Sequence, residues 1–185
     1  PYTTLFRSMI MDCSKYTGPC VCGRDHELVT KKVVVEYGAM DNFDRYMADV
    51  GLTGKRAVIY DSNTYNNPWI KHIKADQEIV LDAEGLHSEK GMIEDMMKKL
   101  DSPEVIVAVG SGTIMDFGRY PAYKLGIPFA AVPTLSSADG YTANICSIII
   151  DGQKKSIPML APTLVVTDLD VIANAPMFLT VSGVT

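Results

Sequence analysis

The segment EVIVAVGSGTIMDFGRYPAYKLGIPFAAVPTLSSADG, residues 104–140, contains two apolar runs, each followed by a polar or glycine-rich loop. The runs at 105–109 and 129–132 are uncharged and rich in small or β-branched residues, which is typical of strands buried on both faces. Residues 113–125 repeat apolar side chains at helical spacing, although Pro121 predicts a kink or a break there. This order predicts a β-α-β unit whose loops lie at the carboxyl ends of neighbouring parallel strands, where open α/β sheets bind ligands.

The same alternation continues on both sides of this unit. Short β-branched runs predict further strands at 31–37, 56–60, 78–81, 145–150, 153–157 and 163–167. Amphipathic segments predict further helices at 42–50, 66–73 and 87–100. Asp151-Gly152, between two of the predicted strands, predicts a tight hairpin turn. The whole pattern predicts an α/β fold, Rossmann-like, with a mostly parallel sheet and helices on both faces.

Length, charge and apolar content limit the class of protein. The 185 residues are enough for one domain with its own hydrophobic core. The net charge of -5 argues against sequence-independent nucleic-acid binding, which needs a basic excess. No apolar run reaches the length of a membrane span, and the start lacks a secretory signal, so we expect a cytoplasmic protein. Met9 and Met11 are candidate natural starts, so residues 1–8 are left out of the fold prediction.

Cysteine and histidine side chains cluster near the amino terminus. Cys13, Cys20, Cys22 and His26 lie in a loop that contains glycine and proline, and four such ligands can hold a zinc ion. The Cys-x-Cys spacing is tighter than the usual zinc knuckle, and no second knuckle follows. The favoured interpretation is therefore a surface loop with free thiols, with zinc as the alternative. Cys146 lies inside a predicted strand and is interpreted as a buried thiol.

The run Gly110-Ser111-Gly112-Thr113 joins the first strand of the central unit to its helix. Glycine allows the backbone to approach a phosphate closely, and the exposed N–H groups of a helix start attract anions. The match to the Gly-x-Gly-x-x-Gly fingerprint is incomplete, because Met115 stands in place of the third glycine. A tight turn without a ligand is therefore an equal alternative.

Two further strand ends carry polar side chains. The loop 133–140 offers three hydroxyls and the carboxylate of Asp139, which can bond a cofactor or a substrate hydroxyl. Asp61 ends another predicted strand, where an acid can bind an adenosine ribose or cap a helix. No histidine or lysine lies nearby in sequence to act as a general base. Chemistry at these loops therefore needs a metal ion or a group from elsewhere in the chain.

Four motifs together carry a family resemblance: GSGTIMD at 110–116, PTLSSADG at 133–140, GQKKSIPMLAP at 152–162 and TDLDVIANAP at 167–176. From residue 31 onward the sequence resembles the sn-glycerol-1-phosphate dehydrogenases. Their superfamily also contains glycerol dehydrogenase, iron-type alcohol dehydrogenases and dehydroquinate synthase. The resemblance implies oxidation of sn-glycerol 1-phosphate, or reduction of dihydroxyacetone phosphate, with NAD or NADP as the cofactor.

The resemblance also implies roles for individual residues. Asp61 would bind the adenosine ribose, Asp139 would contact the substrate, and Ala143 would lie at the cofactor, where the family often has serine. The pyrophosphate turn would consist of Gly112, Thr113, Ile114, Met115 and Asp116. The nicotinamide side would be lined by Thr134, Leu135, Ser136 and Ser137. Asp61 would repel the 2′-phosphate of NADP, which favours NAD mildly without deciding between the two cofactors.

A catalytic metal ion, zinc or nickel, is also implied by the resemblance, held by one aspartate and two histidines. In the family that aspartate follows a glycine-rich run that corresponds to 182–185 here, so we expect all the metal ligands beyond Thr185. The implied organisation is an extension with the cysteine-rich loop at 1–30, an NAD(P)-binding α/β domain at 31–175 and the start of a truncated helical domain at 176–185. We expect the family's helical domain to be absent and this chain alone to show little or no turnover.

Two other functions are compatible with the sequence. A dehydrogenase of the same superfamily that acts on glycerol or another unphosphorylated polyol would share the cofactor motifs. A non-catalytic nucleotide-binding module is the alternative if 185 residues is the natural length. The expected partner is a small phosphorylated substrate, not a nucleic acid or a membrane, and homo-oligomerisation stays open.

Overall fold

The computed structural model describes residues 8–137 and 140–181, with side chains through residue 179. The strands are β1 Met9–Asp12, β2 Gly18–Pro19, β3 Asp25–His26, β4 Lys32–Glu36, β5 Arg56–Asp61, β6 Gln77–Leu81, β7 Val105–Gly110, β8 Phe129–Pro133, β9 Ile145–Ile150, β10 Gln153–Pro158 and β11 Leu164–Asp168. The helices are α1 Phe43–Asp49, α2 Ser62–Tyr65, α3 Lys90–Met97, α4 Gly112–Leu125, α5 Leu169–Ala173 and α6 Met177–Val181. Short 3-10 turns occur at Ser14–Tyr16, Ala39–Asn42 and Gly140–Thr142.

A seven-stranded sheet in the order β1-β4-β11-β8-β7-β5-β6 forms the centre of the molecule. The strands from β4 to β6 in this order pair in parallel, and β1 pairs antiparallel with β4 at one edge. The predicted α/β class and the mostly parallel sheet are therefore confirmed. The strand β1 was not predicted from the sequence, because it is only four residues long and has no alternating pattern.

Apolar side chains cover the sheet on both faces, because alternate residues of a strand point to opposite sides. One face packs against α1, α5 and the segment around Ile70 and Ile73, with Val58, Val107 and Val166 in its centre. The other face packs against α3, α4 and β9, and its core includes the strand residues Ile59, Ile106, Ala108, Ala131 and Val165. Helices on both faces are thus confirmed, and strand β7 is buried along its whole length.

Close packing brings α4 onto β7 and β8. A Cβ atom on Gly118 would lie 2.7 Å from the Phe129 ring and 2.8 Å from the Ala108 side chain, so only glycine fits at this contact. The helix continues through Pro121 to Leu125, so a break at the proline was a wrong prediction. Burial of Phe117, Pro121 and Ala122 against the sheet offsets the one backbone hydrogen bond that proline cannot donate.

The predicted helix at 66–73 is also wrong. The described backbone there forms turns, and the short helix α2 lies just before it at Ser62–Tyr65. The reason is local: Asp61 caps a helix that starts at Ser62, while Asn67 accepts a hydrogen bond from the Trp69 N–H and closes a turn around Pro68. The helix α3 begins at Lys90 and not at 87, because the Ser88 carbonyl accepts from the Ile149 N–H of β9.

The hairpin predicted at Asp151-Gly152 is confirmed. Strands β9 and β10 pair antiparallel from Gln153↔Ile150 to Pro158↔Ile145. Both turn residues have positive φ, 52° for Asp151 and 72° for Gly152, which is the backbone geometry of a type I′ turn. A bilayer-spanning helix needs a long apolar run, and the part of the chain that the structure describes contains none.

A buried carboxylate links the carboxyl ends of β4 and β11. Asp168 is 4% exposed and accepts backbone N–H bonds from Met40 at 2.9 Å, Asp170 at 3.0 Å and Gly38 at 3.2 Å. It therefore caps α5 and fixes the turn that follows β4 at the same time.

Replacement of Asp168 by alanine should lower the free energy of unfolding by about 2–4 kcal/mol, because three backbone donors lose a charged acceptor. Urea unfolding measures this loss. Asp101→Ala is the matched control, since the Asp101 side chain is 77% exposed. Within the described part of the chain, its carboxylate forms one ion pair, with Lys55. The control should change stability by less than about 1 kcal/mol. Equal losses in the two variants would contradict the structural role of Asp168.

Candidate functional site

The chain reverses its direction across the sheet between β5 and β7. From β5 it moves outward to β6 at the edge, whereas from β7 it moves the other way to β8. The adjacent carboxyl ends of β5 and β7 therefore flank the topological switch point, where open α/β sheets bind ligands. Asp61 and Gly110 are the last residues of these two strands.

A groove of about 600 Å³ lies beside this point, at the start of α4. Its walls come from α4, the loop before α3, the segment between β8 and β9, and the β9–β10 hairpin. Of the residues that the sequence implicates, the groove is lined by Gly112, Thr113, Met115, Asp116, Ser137 and Ala143. Its volume lies within the range of about 300–1,000 Å³ that is usual for small-molecule sites.

Other implicated residues lie near the groove without lining it. The Ile114 side chain is fully buried, and a Cβ atom on Gly110 would lie 2.8 Å from it, so this side chain belongs to the core. Thr134 is 7% exposed, and its N–H donates to the Gly110 carbonyl at 3.1 Å. Leu135 is half-buried and Ser136 is exposed. The prediction for Asp139 lies outside the described residues.

Several groove residues were missed by sequence reasoning. They are His87, Ser88, Arg119, Tyr141, Ser147 and Lys154. His87 and Lys154 bring to the groove the kinds of ionisable side chain that its own loops lack. His87 comes from a segment far away in the sequence, and Lys154 lies in the motif at 152–162, to which the resemblance assigned no site role. The polar residue Ser147 inside an otherwise apolar strand was the one signal available.

The helix that starts in the groove differs from two others that directly follow strands. Asp61 caps α2 by accepting from the Thr64 N–H at 2.7 Å, and Asp168 caps α5. Within the described part of the chain, the Ser111 side chain makes no such bond to α4. The first-turn N–H groups of α4 have no intrahelical acceptor, so they are available to an anion from outside the helix.

Asp61 itself serves as a helix cap in the structure. Its second carboxylate oxygen accepts from the Thr64 hydroxyl at 3.0 Å, so both oxygens have local donors. Of the two roles that the sequence left open, the cap is the one the structure shows. Ribose binding by Asp61 stays a prediction.

Asp116 connects the walls of the groove. It is 8% exposed and accepts from the Ser88 hydroxyl at 3.0 Å, the Cys146 thiol at 3.2 Å and the Ser147 N–H at 3.4 Å. Burial raises the pKa of this carboxyl, while its hydrogen bonds to Cys146 and Ser88 and the charge of Arg119 oppose the rise. Burial also raises the pKa of the Cys146 thiol, which is therefore a structural cysteine and not a nucleophile.

Arg119 lies one turn after Asp116 and closes the same region. Its guanidinium is 3.7 Å from the Asp116 carboxylate and donates to the carbonyls of Ile145 and, at 3.2 Å, Gly140. The residue is 3% exposed, and burial lowers the pKa of its guanidinium. Its Nε atom is buried and has no hydrogen-bond partner among the described residues. Arg119 thus anchors the segment that carries Ala143.

The amino-terminal cysteines separate into two groups. Cys20, Cys22 and His26 place their ligand atoms within 4.8 Å of one another, whereas Cys13 is buried elsewhere. Hydrogen bonds from the Cys22 backbone and side chain, and from the Val21 N–H, lower the pKa of the Cys20 thiol. The sequence grouped four residues here, and the structure brings three of them together.

Comparisons with known proteins agree with this architecture. A family model described as iron-containing alcohol dehydrogenase matches residues 34–176. A glycerol-1-phosphate dehydrogenase (NAD(P)+) from Bacillus licheniformis is 28% identical over 186 residues, which cover 95% of this chain and 46% of the relative. A protein of the same name from Sulfurisphaera tokodaii is 29% identical over 164 residues, which cover 83% of this chain and 45% of the relative. This chain thus spans about half the length of these relatives.

Solved structures show the same relationship. The crystal structure of glycerol dehydrogenase from Schizosaccharomyces pombe is 25% identical in sequence and matches with a TM-score of 0.62. The match covers 82% of this chain and 40% of that one. The shared fold therefore corresponds to less than half of the known structure.

Replacement of Asp116 by asparagine should change how stability depends on pH. The folded-state pKa of Asp116 is raised above its ordinary value of 3.8. The contribution of Asp116 to stability is therefore fully present below pH 3.8. It is lost as the pH rises through the folded-state pKa. The free energy of unfolding of the wild-type chain should fall relative to Asp116→Asn over that window. Chemical denaturation at a series of pH values measures the difference.

Asp95→Asn provides the control with the opposite sign. A hydrogen bond and the charge of Lys98 lower the pKa of the exposed Asp95 carboxyl. The contribution of Asp95 to stability is therefore present at pH values above its ordinary pKa of 3.8. It is lost as the pH falls through the lowered folded-state pKa. The decisive quantity is the free energy of unfolding of the wild-type chain minus that of Asp116→Asn. If this difference stays constant or rises with pH, burial does not dominate the ionisation of Asp116.

Proposed function

The chain belongs to the iron-containing alcohol dehydrogenase family, and on this premise we propose that it is the cofactor-binding part of a glycerol-1-phosphate dehydrogenase. The whole protein would transfer a hydride between the C2 carbon of sn-glycerol 1-phosphate and NAD(P)+, which yields dihydroxyacetone phosphate, NAD(P)H and a proton. The observation that carries the proposal is the groove at the uncapped start of α4, beside the switch point of the sheet.

The pyrophosphate of the dinucleotide would bind at the start of α4. The N–H groups of Gly112, Thr113 and Ile114 are available there, and the positive end of the helix dipole favours an anion. Met115 and Asp116 would support the pyrophosphate site without binding the phosphates through their side chains. Met115 is buried in the wall of the groove, and Asp116 holds the helix against the hairpin. The proposal therefore assigns the phosphate contacts to the backbone and not to these side chains.

The two ends of the dinucleotide would extend from this point in opposite directions. The adenosine ribose would lie toward Asp61, at the end of the neighbouring strand β5. Each carboxylate oxygen of Asp61 keeps a second lone pair beside its capping bond, so capping and ribose binding are compatible. The same negative charge would favour NAD over NADP. The nicotinamide side would lie toward Thr134, Leu135, Ser136, Ser137 and Ala143, and Asp139 would contact the substrate.

A lysine at the groove favours a phosphorylated ligand. Lys154 on β10 lines the groove, although the chain has a net charge of -5, and the His87 imidazole before α3 can donate a hydrogen bond to a phosphate oxygen. A local positive field of this kind attracts phosphate groups. The phosphorylated substrate that the relatives' names indicate is therefore preferred over an unphosphorylated polyol. The glycerol dehydrogenase structure nevertheless keeps glycerol as the second candidate substrate.

A divalent metal ion would belong to the whole protein, since the family is described as iron-containing. It would polarise the substrate hydroxyl, which is the usual contribution of a metal ion in such chemistry. The described residues of the groove do not supply its ligands. Among all the described residues, one group of three potential metal-ligating side chains has its ligand atoms within 4.8 Å of one another. It consists of Cys20, Cys22 and His26, which do not line the groove. We therefore assign no step to a metal held by the described residues. We propose that the metal ligands correspond to the half of the relatives' sequences that this chain does not cover.

NADH should bind to this chain, and Gly112→Asp should weaken the binding about tenfold or more, because a carboxylate at the start of α4 repels the pyrophosphate. The fluorescence of bound NADH measures the affinity. Gly91→Asp is the matched control, because it adds the same acid to the first turn of α3, in a position where a Cβ atom has open space. An acid is favourable in a first helical turn, and circular dichroism of both variants must match the wild-type spectrum before their affinities are compared.

The control should bind NADH as the wild-type chain does. Equal affinity of the wild-type chain and Gly112→Asp would reject the helix start as the pyrophosphate site. A wild-type chain that is folded and does not bind NADH would reject the cofactor-binding role altogether.

Turnover should require the longer protein. NADH formation from sn-glycerol 1-phosphate should be absent with this chain alone, with or without Zn²⁺ or Ni²⁺, and present with a longer version that covers the relatives' full length and contains the metal. Glycerol, tested in parallel, should react more slowly. Turnover by this chain alone would show that its catalytic metal site is complete, and faster reaction of glycerol would favour the second candidate substrate.

A further inference from the structure

A small hairpin carries the two exposed cysteines and the histidine that the groove does not use. Strands β2 and β3 pair through Gly18↔His26 and Pro19↔Asp25. The intervening turn closes through bonds from the Cys20 N–H to the Arg24 carbonyl and from the Gly23 N–H to the Cys20 carbonyl, both 2.9 Å. Gly23 has a φ of +80°, which ends the turn in the left-handed region.

This turn directs three metal-ligating side chains toward one point. The Cys22 sulfur lies 3.2 Å from His26 Nε2, and the Cys20 sulfur completes a group whose ligand atoms all lie within 4.8 Å of one another. Two ligands of a tetrahedral zinc ion are separated by roughly 3.6 Å for sulfur and nitrogen and roughly 3.8 Å for two sulfurs, from the usual bond lengths. The cluster therefore needs only small side-chain rotations to enclose an ion.

The hydrophobic core does not hold this hairpin in place. Every residue from 19 to 29 is exposed, and Val21 at the tip is fully exposed. The strands β2 and β3 are two residues long and form their own two-stranded sheet. An isolated hairpin of this size is marginal in water, and small domains of this kind are commonly stabilised by a metal ion.

The hairpin is separate from the groove. The loop that carries the hairpin joins the sheet at Cys13 and Lys31. The Cys13 N–H donates to the Lys31 carbonyl, and the Lys31 N–H donates to the carbonyl of Thr163, just before β11. These positions lie at the amino ends of the parallel strands, while the groove lies at their carboxyl ends. No residue of the loop lines the groove. A metal ion here would therefore stabilise the hairpin and take no part in hydride transfer.

We propose that Cys20, Cys22 and His26 bind a Zn²⁺ ion, with water as the fourth ligand. Two thiolates and one imidazole are soft and borderline donors, which select zinc over the hard ions Mg²⁺ and Ca²⁺. Binding deprotonates the two thiols and crosslinks positions on both arms of the turn, so it stabilises the hairpin locally.

Cobalt provides the direct test, because Co²⁺ replaces Zn²⁺ and absorbs strongly when thiolates bind it. The 185-residue chain, reduced and kept under nitrogen, should bind about one Co²⁺ and show a thiolate-to-cobalt charge-transfer band that Zn²⁺ abolishes. Cys20→Ser, Cys22→Ser and His26→Gln should each lose stoichiometric binding. Cys13→Ala should keep both the band and the stoichiometry, because Cys13 is buried outside the cluster.

Proteolysis tests the stabilising role. Arg24 lies in the turn between Cys22 and His26 and is exposed, so trypsin can cleave after it. Zn²⁺ should slow this cleavage in the wild-type chain and in Cys13→Ala, but not in Cys22→Ser. Absence of metal binding with all thiols reduced, or retention of the cobalt band in Cys20→Ser and Cys22→Ser, would overturn the proposal. Equal cleavage with and without bound Zn²⁺ would overturn the stabilising role.

Discussion

The buried carboxylate of Asp116 is the interaction on which the groove depends. Burying a carboxylate is costly unless hydrogen bonds and a counter-charge compensate for the lost water. Here the partners come from three separate parts of the chain: Ser88 before α3, Cys146 and Ser147 on β9, and Arg119 on the same helix. Because one small group satisfies all of them, α4, the loop before α3 and the hairpin take fixed positions around it. The groove is the space between these three elements and the segment that joins β8 to β9.

Arg119 extends this arrangement to the far side of the groove. Its bonds to the carbonyls of Gly140 and Ile145 fix the segment that follows the polar loop. The close contact at Gly118 holds the same helix against β7 and β8. The first turn of α4 is therefore held rigidly from both sides. Its N–H groups are therefore held in place before any ligand arrives, which would lower the cost of ordering an anion at this helix start.

The sequence predicted those features that depend on local patterns. The unit β7–α4–β8 follows from hydrophobic periodicity and a glycine turn, and the β9–β10 hairpin follows from Asp151-Gly152. The failures had two causes: distant contacts that override local preference, and a local helix cap that the apolar spacing did not reveal. Pro121 does not end α4, because burial against the sheet offsets its missing hydrogen bond. Asp61 starts a helix earlier than the apolar spacing of 66–73 suggested. His87 and Ser88 reach the groove only because the fold joins segments separated by dozens of residues, and Lys154 lies in the motif at 152–162, to which the resemblance gave no role.

The two ends of the parallel sheet solve different physical problems. At the carboxyl ends, the packed core holds the backbone of α4 in place, and a backbone held by packing can recognise a phosphate without a charged side chain. At the amino ends, residues 19–29 of the loop between β1 and β4 lie outside the core, and their hairpin has no apolar face to bury. Such a segment needs another source of order, and the ligand atoms of Cys20, Cys22 and His26 already lie within 4.8 Å of one another. The spacing that made a zinc knuckle improbable in the sequence is compatible with metal binding in the fold, because the turn at Gly23 returns the chain to bring His26 beside Cys22.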